Sequence, residues 1–378
     1  MSDNTGSENI ASTRQMRTRP SAVVFCEGNF GKIDGKTANG LVRQSETYRI
    51  LSVIDSAQAG RDAGVVLDGS PNGIPIVSDL AGAVAHAGSV PEFFIVGVAP
   101  TSGLLSPTER TVILDAMSKG MNIVNGLHEF LNDDAEFAAA CAIYGVRIRD
   151  VRRPRDKKDL RMFTGRIAEV AGPRIAVLGT DGAIGKRTTA TILTKALNDH
   201  GVRAVLVSTG QTGLIQGARF GVALDAVPAQ FVTGELEASV LEAYDNEHPD
   251  VIIVEGQGAL SHPTYLSSTA ILRGSLPAGV ILQHAPARTH ISDFPAFPMP
   301  TVRSEVNLIE TFAATKVIGL TINHENMTDA EVSAAIALYE IELGIPVTDA
   351  LTRPTQRLLE MVFAAFPELD KAPTASAR

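Results

Sequence analysis

The stretch GTDGAIGKRTT, residues 179–189, lies between an apolar run, RIAVL, and a segment with the pattern of a helix. A buried strand, a glycine-bearing turn and a helix in this order are typical of a phosphate-binding loop. In such a loop successive backbone N–H groups and the helix N-terminus face the same anion. Lys186 adds a full positive charge. The stretch therefore predicts a site for a phosphate-bearing ligand.

The loop departs from the common pattern at two positions. Strict spacing would put the first glycine at position 180, which is a threonine, whereas Gly179 lies one residue earlier. Position 187, where Ser or Thr normally binds Mg²⁺, is an arginine, and a guanidinium grips phosphate oxygens directly. We therefore expect metal-free binding of a phosphate ester, for which coenzyme A is a candidate. The residues expected to bind it are Asp181, Gly182, Gly185, Lys186, Arg187, Thr188 and Thr189.

Strand candidates alternate with helix signals on both sides of this loop. Upstream they are SAVVFCEG, YRILSVID, IPIVSD, FFIVGVAP and NIVNGLH, and downstream RIAVLGT, VRAVLVST, DVIIVEG, GVILQHA, KVIGLTIN and IPVTDAL. They are apolar on both faces, as strands of a buried parallel sheet are. SPTE at 106–109 is a capping box that opens a helix, and another helix should end at Gly145. The pattern predicts two doubly wound α/β domains.

The expected organisation is a disordered tail at residues 1–20, an α/β domain at 21–150, a basic linker at 151–170 and a second α/β domain at 171–370. The charged stretch VRIRDVRRPRDKKDLRMFTGR (146–166) favours a solvated connector. Alternatively, Arg152, Arg153 and Lys157 within it neutralise a phosphate-bearing ligand at the domain junction.

Composition restricts the class of protein. The 378 residues carry a net charge of −9, which argues against non-specific nucleic-acid binding. Two cysteines are too few for a disulfide framework, and no apolar run is long enough to cross a membrane. We expect a cytoplasmic protein with a small-molecule ligand, no nucleic-acid or membrane partner, and assembly into a homo-oligomer.

Polar residues that follow the downstream strands are the candidates for chemistry. Glu255 ends the strand of DVIIVEGQGAL, and His284 ends that of ILQHAPARTHISDFPAFPMP, an irregular segment with four prolines. Both should lie at the mouth of the sheet, where ligands of such folds bind. Gln211 and Thr212, in STGQTGLIQG, follow a third strand and are expected to contact the substrate.

The chain resembles the DgcN family of D-glutamate N-acetyltransferases over about residues 21–370. The resemblance rests on GTDxxxGKRTT, STGQTG and VEGQGALSHP, and the offset glycine of GTDGAIGK is similar to that of dethiobiotin synthetases. It implies an N-terminal Rossmann-like domain and a C-terminal P-loop NTPase-like domain with a mostly parallel sheet. It also implies acetyl transfer from acetyl-CoA to the amino group of D-glutamate in D-amino-acid catabolism, with no metal.

Under this reading Glu255 or His284 is the base that takes a proton from the amine. Arg273 and Arg288 are expected to bind the acceptor's carboxylates. Two alternatives stay open. One is a Mg-ATP-dependent ligase or kinase like dethiobiotin synthetase, in which Thr188 or Thr189 replaces the usual magnesium ligand. The other is a nucleotide sensor without catalytic activity.

Overall fold

The computed structural model describes residues 19–100 and 102–370 of the chain. Residues 1–18, most of the expected tail, lie outside the described residues. The described part forms a six-stranded sheet, a seven-stranded sheet and a two-stranded hairpin. The two long sheets are parallel throughout, which confirms the α/β class expected from the sequence.

The first sheet has the order β3-β2-β1-β4-β5-β6, which is that of a doubly wound nucleotide-binding fold. Its strands are β1 (Ser21–Phe25), β2 (Arg49–Ile54), β3 (Ile76–Val77), β4 (Phe93–Val96), β5 (Asn122–Asn125) and β6 (Ile148–Asp150). The first five lie within the sequence runs that were expected to form strands. The sixth was missed because its three residues, Ile-Arg-Asp, have no apolar run.

Five helices cover this sheet: α1 (Lys36–Arg43), α2 (Ala63–Asp68), α3 (Leu80–Ala87), α4 (Pro107–Ser118) and α5 (Ala135–Tyr144). The capping box of α4 is confirmed. The Ser106 hydroxyl accepts from the Glu109 N–H, and the Glu109 carboxylate accepts from the Ser106 N–H at 2.7 Å. Gly145 ends α5 in the left-handed region, with φ of 68°.

The second sheet has the order β15-β14-β11-β7-β10-β8-β9. Along its central strand, Ile175 and Val177 pack into one apolar core and Ala176 and Leu178 into another, as alternation along a strand requires. The strands of the carboxy-terminal half are β7 (Arg174–Gly179), β8 (Ala204–Ser208), β9 (Phe220–Gly221), β10 (Val251–Glu255), β11 (Gly279–His284), β12 (His290–Ile291), β13 (Phe294–Pro298), β14 (Lys316–Ile322) and β15 (Val347–Thr348).

The helices of this half are α6 (Lys186–Asp199), α7 (Gln211–Gln216), α8 (Val232–Glu247), α9 (Ser267–Ser275), α10 (Val302–Phe312), α11 (Asp329–Leu343) and α12 (Gln356–Ala365). The proline-rich segment after β11, expected to be irregular, forms the antiparallel hairpin of β12 and β13. Prolines are tolerated there because each strand of the hairpin pairs on one side only.

Helix α7 joins the two domains. Its Ile215 is fully buried in the core of the first domain. The amide of Gln216 donates to the carbonyl oxygens of Gly40 and Gln44, both at 2.7 Å, and the Thr37 and Thr212 hydroxyls lie 2.9 Å apart. The first domain therefore stands over the carboxyl ends of β7 and β8.

The arginines of the basic segment are paired with carboxylates of both domains. Arg152 is buried and binds Asp225 of the second domain at 2.9 Å, whereas Arg153 binds Asp133 of the first at 2.5 Å. Lys157 is exposed in a short turn. The segment connects the domains through ion pairs, so Arg152 is committed to a protein carboxylate.

Candidate active site

A cleft of about 840 Å³ lies between the carboxyl ends of the second sheet and α1 of the first domain. This volume falls in the range of about 300–1,000 Å³ that is usual for small-molecule sites. The glycine-bearing loop after β7 forms its floor, and Glu255 at the end of β10 lies in its wall. Parallel strands bring these segments, far apart in sequence, to one edge of the sheet.

The loop is shaped by close contacts and left-handed residues. Ala183 and Gly185 have φ of 49° and 103°, and Gly185 directly precedes the first residue of α6. A Cβ at Gly179 would lie 2.9 Å from the side chains of both Ile184 and Lys186. The unusual position of this glycine is therefore explained, because the loop folds back over it.

Lys186 is buried beneath the loop and donates to the backbone carbonyl of Asp181. Burial lowers the pKa of Lys186 to about 7, against the opposing effect of the Asp181 carboxylate. An arriving phosphate would favour the protonated amine. The residue expected to bind phosphate is thus in the cleft, with its charge poised near neutral pH.

The Asp181 carboxylate has no exposed surface and is already engaged. One oxygen accepts from the Gly182 N–H at 2.7 Å, and the other accepts from Arg288 at 2.7 Å and from the Ser292 N–H at 2.9 Å. It therefore ties the loop to the hairpin of β12 and β13. This is a different placement from the ligand contact expected of Asp181.

Arg187 lines the cleft but turns its guanidinium toward the domain interface. It donates to the side-chain oxygen of Gln216, and a Cβ at Gly40 of α1 would lie 2.7 Å from its Nη2. Burial lowers the pKa of Arg187, and the nearby Glu255 carboxylate opposes this shift. The structure thus gives this arginine a partner in the protein, and the phosphate grip stays a prediction.

The two threonines of the loop differ. The Thr189 hydroxyl is buried and donates to Gln283 at 2.6 Å, while Thr188 faces the cleft. Gln211 and Thr212 also line the cleft, but both contact the Thr37 hydroxyl of the first domain, at 3.4 and 2.9 Å. Both threonines line the cleft, but the Thr189 hydroxyl already has a partner in the protein.

Glu255 is almost fully buried in the cleft wall. It accepts hydrogen bonds from the Ser208 hydroxyl and, at 3.1 Å, from the Thr209 N–H. Burial raises the pKa of Glu255, although Ser208 and Arg187 favour the ionised form. A carboxylate with a raised pKa binds a proton more strongly than an exposed one, which suits proton abstraction.

His284 is placed behind the cleft, since the neighbouring Gln283 lines it and His284 does not. Its Nδ1 lies 2.8 Å from the Thr180 hydroxyl, and its ring packs edge-on against Tyr339. Burial and the charge of Arg288 lower the pKa of His284 to about 4. The imidazole is neutral at pH 7, but its position favours support of the loop over contact with substrate.

Neither arginine expected to bind substrate reaches the cleft. Arg288 holds Glu325 through two hydrogen bonds of 2.7 and 2.9 Å and Asp181 through a third. Arg273 is exposed at the end of α9, with its guanidinium 4.9 Å from the centre of the Phe312 ring. Sequence spacing could not reveal these partners because they come from other elements.

His262 is a neighbour of the site that the sequence reading did not select. Its side chain is fully buried, and its Nε2 has no hydrogen-bond partner in residues 19–100 and 102–370. This nitrogen lies 3.8 Å from Asp181 Oδ1, and the ring packs on Tyr265 of the cleft wall. The only sequence signal was its place in VEGQGALSHP.

The loop after β14 was also missed. The Asn323 amide donates to the Ile184 carbonyl of the glycine loop at 3.1 Å, and His324 pairs with Asp349 at 2.5 Å. All four residues line the cleft. Polar residues directly after the apolar run KVIGLTI were the available signal, the same one that selected Glu255.

Two further findings apply to the described residues alone. They contain no group of three or more His, Cys, Asp or Glu side chains arranged to hold a metal ion. None of the helices among them has the length and apolar character needed to cross a membrane.

Comparison with known proteins agrees with this two-domain arrangement. A family described as a domain of unknown function, DUF1611, matches residues 56–154 with its Rossmann-like domain and residues 161–359 with its P-loop domain. A crystal structure of a DUF1611 family protein from Anabaena variabilis is similar at a TM-score of 0.84 and 30% identity, covering 92% of this chain and all of that one.

Two curated relatives are named D-glutamate N-acetyltransferase. The protein from Tritonibacter scottomollicae is 31% identical over 277 residues, which are 71% of this chain and 80% of that protein. The protein from a Pseudoalteromonas species is 31% identical over 267 residues, 68% and 77% of the two chains. The chain therefore belongs to the DUF1611 family, whose Rossmann-like and P-loop domains it carries in its two halves.

Proposed function

We propose that the chain transfers the acetyl group of acetyl-CoA to the amino group of D-glutamate, as an opening step of D-amino-acid catabolism. The observation that carries the proposal is that Lys186 and Glu255 line one cleft. A cation for the donor's phosphates and a base for the acceptor's amine are thus available side by side. The names of the two curated relatives support the same reaction.

The glycine loop is the proposed site of the coenzyme's phosphates. Lys186 and the N–H groups that lead into α6 offer positive charge at the floor of the cleft. Position 187, which usually supplies a hydroxyl to magnesium, is an arginine bonded to Gln216. The Thr189 hydroxyl, a possible replacement, donates to Gln283. This arrangement favours binding of the phosphates without a metal.

Glu255 is the proposed base. It takes a proton from the ammonium group of the acceptor, and the resulting amine attacks the thioester carbonyl. A C–N bond forms, the C–S bond breaks, and the thiolate of coenzyme A leaves and takes up a proton. The raised pKa of Glu255 strengthens this carboxylate as a proton acceptor. His284 is the less suitable of the two candidates because it lies behind the cleft.

The test is release of free thiol from acetyl-CoA, followed with a colour reagent, with D-glutamate and L-glutamate in parallel and a metal chelator present. We expect release with D-glutamate and none with L-glutamate or without acceptor. Mass spectrometry of the product should show one acetyl group on the amino acid. No release with any acidic amino acid would reject the proposal.

The rival is a Mg-ATP-dependent ligase or kinase, and one observation favours it: Thr188 faces the cleft from within a phosphate-binding loop. ATP turnover that requires both magnesium and an amino acid, without thiol release from acetyl-CoA, would support this rival. It would also require a second magnesium ligand, for which Glu255 is the available carboxylate.

A cytoplasmic location and assembly into a homo-oligomer are part of the proposal. Cys26 and Cys141 are both free thiols, as is usual in a reducing compartment. Light scattering coupled to size exclusion tests the assembly, since a mass near 39.9 kDa would show a monomer.

A further inference from the structure

The lysines and arginines that line the cleft differ in one respect, which is whether the protein already provides a partner for the charge. Four of the five are engaged: Lys32 with the Gly28 carbonyl, Arg43 with Asp68, Lys186 with the Asp181 carbonyl and Arg187 with Gln216. The Lys36 ammonium group makes no hydrogen bond and no ion pair with any residue in 19–100 or 102–370, whereas the backbone N–H of this residue donates to the Ile33 carbonyl. It is thus the cleft cation that is free to bind a ligand.

The backbone position of Lys36 is fixed by its place in α1. It is the first residue of α1, and the next residue, Thr37, contacts Thr212 of the second domain at 2.9 Å. The charges of Lys36 and Lys186 are close enough to affect each other. The first domain therefore contributes an ammonium group to a cleft whose floor belongs to the second.

The surroundings of Lys36 carry charges of both signs. Burial lowers the pKa of Lys36, the charge of Arg152 lowers it further, and the Asp293 and Asp225 carboxylates oppose this shift. The Tyr265 hydroxyl, in the cleft wall, donates to Asp293 at 3.0 Å. Mixed charge suits a zwitterion, which has an ammonium and a carboxylate group, better than it suits a chain of phosphates. In the glycine loop, by contrast, the Asp181 carboxylate is already paired with Arg288, so Lys186 and the backbone N–H groups are what the loop offers to an anion.

The dicarboxylate acceptor of the proposed reaction needs a cation that Arg288 and Arg273 do not supply. Arg288 is saturated by two protein carboxylates, and Arg273 lies outside the cleft. Lys36 is the group that remains at the cleft. A lysine ammonium binds a carboxylate as a compact point charge and needs no fixed fork geometry.

We propose that Lys36 binds a carboxylate of the amino-acid acceptor, so that the two domains share the substrate site. This inference rests on the proposed acetyl transfer. The class of ligand is an acidic amino acid, held by Lys36 at the first-domain side while its amine faces Glu255. Asp293, which accepts a hydrogen bond from Tyr265, supplies the negative charge in these mixed surroundings.

The experiment compares Lys36→Met with Lys119→Met, in which the lysine removed lies outside the cleft and pairs with Asp115. The KM for D-glutamate is measured at saturating acetyl-CoA, and the affinity for coenzyme A is measured by calorimetry without the amino acid. We expect Lys36→Met to raise the KM for D-glutamate about 10- to 100-fold. Affinity for coenzyme A should stay near the wild-type value, and Lys119→Met should leave both values near wild type.

The other outcomes separate the two ideas. If Lys36→Met lowers the affinity for coenzyme A and leaves the KM for D-glutamate unchanged, Lys36 binds a phosphate and the inference is wrong. A fall in kcat alone would assign Lys36 to proton transfer and would equally reject it. If wild-type protein transfers no acetyl group, the proposed function fails before the variants are compared. Lys36→Arg, which keeps the charge, should have a KM for D-glutamate between those of the wild type and Lys36→Met.

Discussion

The Arg288 guanidinium donates to the Asp181 carboxylate at 2.7 Å and so joins the phosphate-binding loop to the hairpin that follows β11. Arg288 also binds Glu325 in the loop after β14. Three loops at the mouth of the sheet thus depend on one cation whose side chain is 9% exposed. The arginine acts on the ligand site through these loops.

Replacing Arg288 should destabilise the second domain. Arg288→Ala leaves Asp181 buried without its cation, and loss of one partner of a buried pair costs about 3–5 kcal/mol. Unfolding in denaturant is followed by circular dichroism, because the chain has no tryptophan. Arg273→Ala removes an exposed cation–π contact and should cost about 1 kcal/mol or less. Equal effects of the two changes would contradict the pairing described for Asp181.

Removal of the Lys186 charge should weaken the binding of coenzyme A. Lys186→Ala is expected to cost roughly 1.5–3 kcal/mol of binding free energy, the range for a hydrogen bond to a charged group. Calorimetry with coenzyme A measures it. Lys195→Ala, on the exposed face of the same helix where Lys195 pairs with Asp199, should leave the affinity unchanged. An unaltered dissociation constant in Lys186→Ala would place the phosphates elsewhere.

The affinity for coenzyme A should also depend on pH. Because the pKa of Lys186 is lowered to about 7 in the free protein, the lysine is protonated below pH 7 and loses its charge above it. Binding of an anion should therefore weaken as pH rises from 7 to 9, by up to tenfold per unit if only the protonated form binds. Lys186→Met should bind more weakly at pH 6 and show a flat profile from pH 7 to 9. A wild-type profile as flat as that of the variant would argue against the lysine's role.

Glu255 and Ser208 allow a test of the base. Glu255→Gln should lower kcat about 10²- to 10⁴-fold while leaving coenzyme A affinity unchanged. Since the Ser208 hydrogen bond holds the pKa of Glu255 down, Ser208→Ala should raise that pKa further. The acidic limb of kcat/KM then moves to higher pH. Ser275→Ala, which removes a buried hydroxyl bonded to the Ile271 carbonyl, should leave the limb in place.

Gly40 tests the contact between the domains. In Gly40→Ala the new Cβ would meet the Arg187 guanidinium at 2.7 Å and the Thr212 side chain at 3.0 Å. Overpacking of this kind costs about 1–3 kcal/mol. Gly82→Ala, also within a helix, meets only ordinary contacts of 3.4 Å or more and should be neutral or slightly stabilising. Thermal melts of the two variants give the comparison, and coinciding curves would show that the interface yields without cost.

The fold could be predicted because its signals are local. Each strand of the two main sheets that has four or more residues appears as an apolar run in the sequence, and the α4 and α5 boundaries follow from nearby caps. The two-residue strands β3 and β15 lie within the expected candidates IPIVSD and IPVTDAL, whereas β9, a two-residue strand at the edge of the second sheet, was missed because its residues, Phe-Gly, do not form an apolar run by themselves.

The site could be predicted only in part. That Lys186 and Glu255 lie at one cleft could be predicted because Glu255 ends one strand of the sheet and Lys186 begins the helix that follows another. The place of Lys36 in the same cleft could not be predicted, because its proximity to the loop depends on docking of a domain about 150 residues away along the chain. For the same reason the sequence wrongly indicated that Arg288 is available to a ligand. The carboxylates that neutralise this arginine are 107 and 37 residues away in sequence.

The double hydrogen bond from the Gln216 amide to α1 has a consequence for engineering this family. A chimera that takes its amino-terminal domain from one relative and its carboxy-terminal domain from another would pack α1 of one protein against α7 of another. Joining the two parent sequences at the linker alone therefore does not preserve the site. Residues 36–44 and 211–216 have to be exchanged as one unit, although 166 residues of sequence separate them.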